Sequence, residues 1–138
     1  MATPYQERAL AAPERHAESA EWLDAAGEKR LLVKHCESCD QHHHYPRSLC
    51  PFCFSDRTQW HESNGRGTIY SYTITRRAGP VPYALAYVTL DDCGVTMMTN
   101  IVDCDLDELR VGQRVKLAFK TSGEGFRLPM FTPDPESE

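Results

Sequence analysis

"CESCDQHHHYPRSLCPFC", residues 36 to 53, decides how the rest of the chain is read. It holds two Cys-x-x-Cys pairs, Cys36/Cys39 and Cys50/Cys53, separated by ten residues. Each pair can present two thiolates from one tight turn, and two such turns facing one another make the tetrahedron that zinc prefers. Four cysteines at this spacing would be rare by chance, so four buried free thiols is the weaker reading. If Cys36, Cys39, Cys50 and Cys53 all bind, the shell is full and leaves no position for water or substrate. Such a closed Zn2+ site is structural. Its binding free energy stabilises a module too small to bury an adequate core. Iron in the same thiolate set would be redox-active, as in a rubredoxin-like electron carrier, and ligand type alone does not separate the metals.

Three histidines, His42, His43 and His44, lie between the pairs. Adjacent residues cannot all point at one centre, and the thiolates already satisfy an ion. The histidines are therefore expected to be solvated or to sit around the site rather than in it. Zinc knuckles often follow the second cysteine with glycine, which tolerates a left-handed backbone. Here Asp40 and Phe54 take those places. Asp visits that conformation at modest cost; Phe54 is harder to accept, so a distorted second knuckle is expected.

Outward from the cysteines, the chain divides into an N-terminal helical segment (1–30), the ribbon (31–56), a β-rich region (57–131) and a frayed acidic tail (132–138). Thr3 as N-cap, Pro4 and Gln6 predict a first helix. "ERHAESAEWLDAAG", ending on Gly27, predicts a second. "LLVKH" reads as a strand feeding the first pair. Beyond the ribbon the hydrophobic period becomes two, in "GTIYSYTITRR", "PYALAYVTL", "VTMMTNIV" and "RVKLAF". "FRLPMF" adds a last strand that Pro129 confines to an edge or bulge. "NGRG" and "DDCG" are turns, and "DLDELRVG" is one helical turn closed by Gly112. Short strands with a small helix before the last long one predict a partly open Greek-key barrel, of which the OB-fold is the commonest small example. A β-sandwich remains open. The fold class is thus mainly β, with N-terminal helices, a four-cysteine ribbon and a C-terminal barrel.

Net charge is −5, and no apolar run reaches the roughly 20 residues a membrane span requires. "MATPYQERAL" shows no secretory signal, so a cytoplasmic location with reduced thiols is expected. The acidic balance argues against a nucleic-acid partner, which needs clustered cations. An OB-like barrel with aromatic strands nevertheless keeps single-stranded nucleic-acid binding as the alternative reading. Charge is uneven: residues 57–90 carry Arg57, Arg66, Arg76 and Arg77 against Glu62 alone. Cys104, flanked by carboxylates, and Cys93, without a basic neighbour, read as ordinary packing residues rather than nucleophiles. Tyr70, Tyr72, Tyr83 and Tyr87 are many for one small barrel, which leaves two readings open: some belong to a partner interface, or their rings line the core with only the hydroxyls at water. No nucleophile elbow or phosphate loop is visible, and no catalytic residue is assigned.

In order, "EWLDAAGEKRLLVKHCESC", "YPRSLCPFC", "GRGTIYSYT", "PYALAYVTLDDCGVTMMTNIVDCD" and "LRVGQRVKLAF" cover most of residues 21 to 119. This run resembles the zinc-ribbon/OB-fold family of acyl-CoA-associated accessory proteins, small partners of thiolase-like enzymes and of MaoC-type hydratases. Asp40 and Phe54 depart from its glycines. The resemblance implies a chain without a complete active site, whose thiolase-like partner supplies the catalysis, in a two-plus-two complex. The reactions it implies are retro-aldol cleavage, thiolase condensation or acyl transfer on a CoA thioester, with steroid side-chain β-hydroxyacyl-CoA favoured. On that reading Arg66, Arg76, Arg77 and Tyr83 are candidates to meet the CoA phosphates or the partner.

Overall fold

Small side chains alternating with large ones build the barrel. In β5 (Tyr83–Leu90) the residues Ala84, Ala86, Val88 and Leu90 are buried, whereas Tyr87 points outward. The same alternation buries Met97 and Ile101 of β6 (Thr96–Ile101). The computed structural model describes residues 2–135, in which these strands join β4 (Arg66–Thr75), β7 (Arg114–Thr121) and β8 (Arg127–Pro133). Their order, β4-β5-β6-β8-β7, closes on itself when Arg66–Thr68 pair with Arg114–Lys116. The closed five-stranded barrel is OB-like and decides against the sandwich. A 3-10 turn, Leu106–Glu108, plugs one end through buried Leu106. Phe131 is fully buried, and its truncation to Ala is expected to cost about 3–5 kcal/mol.

Pro129 and Pro133 stand in β8 without breaking it. Phe131 gives its carbonyl to the Val102 amide, on the β6 side, and the two prolines share its parity. Their missing N–H groups therefore face away from the β7 ladder, where a donor is not needed. Pairing with β6 is a single parallel bridge, Ile101 to Phe131. Strand β8 reaches Pro133, and Asp134 beyond it is 2% exposed. It thereby takes in the first residues of the acidic end; residues 136–138 lie outside the described residues.

Three short strands make the second sheet, in the order β2-β1-β3, from β1 (Leu32–Cys36), β2 (His42–His43) and β3 (Thr58–Glu62). Strand β3 falls just beyond the ribbon boundary drawn from sequence, yet it pairs with β1 over five residues. Leu31 and Val33 pack in the same apolar cluster as Ile69, Val88 and Phe131, so ribbon and barrel share one core.

The N-terminal expectation needs correction. Among the described residues of the N-terminal segment one α-helix forms, α1 (Ala20–Gly27). The predicted first helix is absent because tertiary bonds claim its residues. The Thr3 amide donates to Asp105 Oδ1 (2.8 Å), the Tyr5 amide to the Cys104 carbonyl (2.8 Å), and Arg8 to Asn100 Oδ1 (3.0 Å). Residues 3–8 thus run as a strap across the barrel end. Gly27 is also not the left-handed stop of α1. Lys29 takes that conformation (φ 62°), with Arg30 N bonded to Ala25 O and Lys29 N to Ala26 O, a Schellman closure.

Candidate metal centre and its surroundings

Each Cys-x-x-Cys pair folds as a knuckle with the same backbone bonds. In the first, the Asp40 amide donates to Cys36 O (2.8 Å) and the Cys36 amide to Gln41 O (2.9 Å). In the second, Phe54 N bonds Cys50 O (2.9 Å) and Cys50 N bonds Ser55 O (2.9 Å). Asp40 and Phe54 hold φ of 61° and 65°. The expected distortion of the second knuckle is therefore absent: Phe54 accepts the left-handed backbone, at a cost of roughly 1–2 kcal/mol for a non-glycine residue. Ser38 and Ser55 hydroxyls, 2.7 Å apart, tie the two turns together.

All four sulfurs converge. Their Sγ atoms lie within 4.8 Å of one another, with Cys36–Cys53 and Cys39–Cys50 each 3.6 Å apart. A regular tetrahedron with Zn–S of about 2.3 Å has edges of about 3.8 Å, close to the two 3.6 Å separations, so the set is of a size to hold one ion. Amides of Cys39 and Ser38 aimed at Cys36 lower its thiol to about 6, while burial pushes Cys39 up to about 12. Without an ion, negative charge collects on Cys36; an entering cation displaces protons from the rest, so affinity rises with pH.

The triple histidine run scatters. His42 packs between His35 of β1 (ring centroids 4.6 Å, tilted) and His61 of β3 (5.3 Å, edge-on), on one face of the small sheet. His43 faces the opposite way and is 7% exposed, and His44 lies half-buried against Trp22, its pKa pushed down to about 4 by desolvation. None joins the four-sulfur cluster. The histidines thus sit around the four-sulfur cluster rather than in it, and of the two readings, solvated or beside the site, His43 is not solvated. His35 and His61, which pack against His42, carry no local sequence signal; only strand register brings them together.

The other candidate residues separate. Arg66 and Arg76 sit at or just beyond opposite ends of β4, on the order of 30 Å apart in an extended strand, so they cannot share one phosphate. Arg66 pairs with buried Asp134 (3.2 Å), and Arg76 with Asp107 (2.6 Å) and the Thr3 hydroxyl (3.2 Å). Tyr83 lies 4.0 Å beneath the Arg8 guanidinium. Arg77 is exposed and has no ion pair or hydrogen bond among the described residues. Cys93 and Cys104 are poor nucleophiles: burial raises both thiols, and with neighbouring carboxylates takes Cys104 to about 11.

Of the tyrosines, Tyr70 and Tyr87 are exposed, and Tyr72 donates its hydroxyl to Leu109 O (2.8 Å). A bulge between Ile69 and Ser71 turns β4 over, burying Ile69 and turning Tyr70 outward. An apolar groove of about 270 Å3 runs over this outer face, lined by Tyr72, Leu85, Tyr87 and Met98. Among the described residues no helix is long and apolar enough to cross a membrane.

Comparison with known proteins gives two adjoining matches. Residues 23–59 match the family described as "ChsH2, rubredoxin-like zinc ribbon domain", and residues 60–120 match "ChsH2, C-terminal OB-fold domain". Among solved structures, a chain from "Ltp2-ChsH2(DUF35) aldolase" is similar at 31% identity and TM-score 0.76, covering 88% of this chain and 98% of that one. A "Probable enoyl-CoA hydratase alpha subunit" from Thermomonospora curvata is 31% identical over 88% of this chain, which spans only 39% of that protein's length. A "DUF35 domain-containing scaffold protein" from Methanocaldococcus jannaschii is 27% identical over 65% of this chain and 67% of its own.

Proposed function

The chain belongs to the ChsH2 zinc-ribbon/OB-fold (DUF35) family, and from that premise we propose that it is the non-catalytic subunit of an acyl-CoA-processing complex with a thiolase-like enzyme. The observation that carries the reading is its likeness, over 98% of that chain's length, to a chain from the Ltp2-ChsH2(DUF35) aldolase. A retro-aldol cleavage of a β-hydroxyacyl-CoA, such as one bearing a steroid side chain, is the favoured reaction, in a two-plus-two assembly working in the cytoplasm.

The residue chemistry supports a structural role. Four thiolates, Cys36, Cys39, Cys50 and Cys53, would hold zinc with a filled shell, so the ion braces the ribbon and leaves the substrate to the partner. Raised Cys93 and Cys104 thiols leave neither poised for attack. Arg77 is the residue best placed to meet a CoA phosphate, since Arg66 and Arg76 already hold carboxylates. With those two engaged and a net charge of −5, single-stranded nucleic-acid binding loses its electrostatic basis.

Co-expression with the thiolase-like protein of the same genome tests the reading. The pair should co-purify and cleave a β-hydroxyacyl-CoA, while the zinc-loaded chain alone turns over no thioester. Turnover by the lone chain, or partner activity indifferent to it, would sink the idea. In the active complex, Arg77→Glu should raise KM for the thioester about 10-fold with kcat unchanged.

A further inference from the structure

The two knuckles share a backbone and differ in their surfaces. The first carries Glu37, Ser38 and Asp40 outward; the second carries Phe52 (56% exposed) and Phe54 (76% exposed), with Leu49 (51% exposed) just before it. Phe54 is the informative residue. It occupies a left-handed position (φ 65°) that suits glycine or asparagine, and its ring, turned to solvent, packs little within its own chain. A residue that strains the backbone and serves no internal contact is explained by a contact outside the chain.

We infer that the apolar tip of the second knuckle, Leu49, Phe52 and Phe54, is a docking surface for the thiolase-like subunit. The inference rests on the function proposed above and adds the surface through which that partner is held. Area favours a different protein over a second copy. The exposed parts of the three side chains amount to about 350 Å2, so a symmetric pair would bury only about 700 Å2 through them, below the ~1,200 Å2 of stable interfaces. A larger partner covers the tip as an aromatic anchor within a wider interface, the arrangement typical of binding hot spots.

The backbone conformation supplies a test that does not depend on unfolding. Phe54→Asn removes the ring and suits the left-handed position, so zinc content and Tm of the full-length chain should be kept. Affinity for the co-expressed thiolase-like subunit, by calorimetry, should fall at least 10-fold, and further in Phe52→Ser/Phe54→Asn. Asp40→Asn, at the matching position of the first knuckle, should leave affinity within 2-fold. If the wild-type complex forms and the double variant binds equally well, the docking surface is wrong while the proposed function stands. If the wild-type chain binds no thiolase-like subunit, the proposed function fails and takes this occupant with it. A wild-type chain that sediments as a dimer, made monomeric by Phe54→Asn, would overturn the choice of partner in favour of a second copy.

Discussion

Knuckle one, Cys36 to Gln41, and knuckle two, Cys50 to Ser55, superpose bond for bond yet face the solvent with opposite chemistry. The first obeys local preference: Asp40 tolerates its backbone, and its carboxylate meets His35 Nε2 at 2.7 Å. The second defies it at Phe54. What the pair teaches is that four sulfurs brought to one point go with one backbone for both knuckles, while the residues between and after the cysteines differ in chemistry.

Removing the metal breaks both knuckles together and has the largest expected effect. Structural zinc contributes about 10–16 kcal/mol in comparable small modules. Cys50→Ser, which deletes a buried ligand, should abolish stoichiometric zinc and collapse amide protection in β1 to β3, while barrel amides exchange more slowly. Hydrogen exchange with metal analysis checks it, and retained ribbon protection would contradict the metal's bracing role.

Acid separates the segment joining the knuckles from the knuckles themselves. Burial holds His44 near 4, below the ordinary 6.5 of an unfolded chain. A depressed histidine contributes its full stability above 6.5 and loses it as pH falls toward 4, because the unfolded chain takes the proton first. The loss is of order 3 kcal/mol across that window. Denaturation of zinc-saturated wild type and His44→Leu should show a steeper decline for the wild type between pH 6.5 and 4.5; parallel curves would argue that His44 is solvated.

Glycine scanning sharpens the contrast directly. Phe54→Gly should stabilise the isolated chain by about 1 kcal/mol, since it relieves the left-handed strain, whereas Asp40→Gly should gain only a few tenths. Thermal melts of the two variants decide it. The smallest effect belongs to the exposed His35–Asp40 pair: Asp40→Asn should change stability by less than about 0.5 kcal/mol at neutral pH.

Much of this architecture could be read from local pattern. The cysteine spacing announced the ribbon, and period-two alternation located β4 to β7. Pro129 did not confine β8 to an edge or a bulge: the strand sits between β6 and β7 in the closed barrel, and the missing N–H is tolerated because it faces the sparsely bonded β6 side. The N-terminal strap was not legible, because Thr3 and Pro4 carry a valid helix start and are overruled by bonds to residues a hundred positions away. The four arginines close in sequence do not gather in the fold, because a ten-residue strand separates Arg66 at its start from Arg76 just past its end. The buried partner of Arg66, Asp134, lay within the acidic end that read as frayed. His35 and His61 were invisible for the same reason, since their packing depends on cross-strand register and leaves no trace in spacing.

One joint has a consequence for how the molecule works. Where ribbon gives way to barrel, Asp92 accepts from the Ser63 hydroxyl (3.2 Å) and the Asn64 amide (2.8 Å). Gly65 and Gly67 lie so close to Leu117 and Thr89 that a Cβ would fall at 2.4 and 2.5 Å. A side chain at either glycine would wedge the chain away from its neighbour, so the seam between ribbon and barrel tolerates no bulk, above all at Gly67, where the obstacle is main chain.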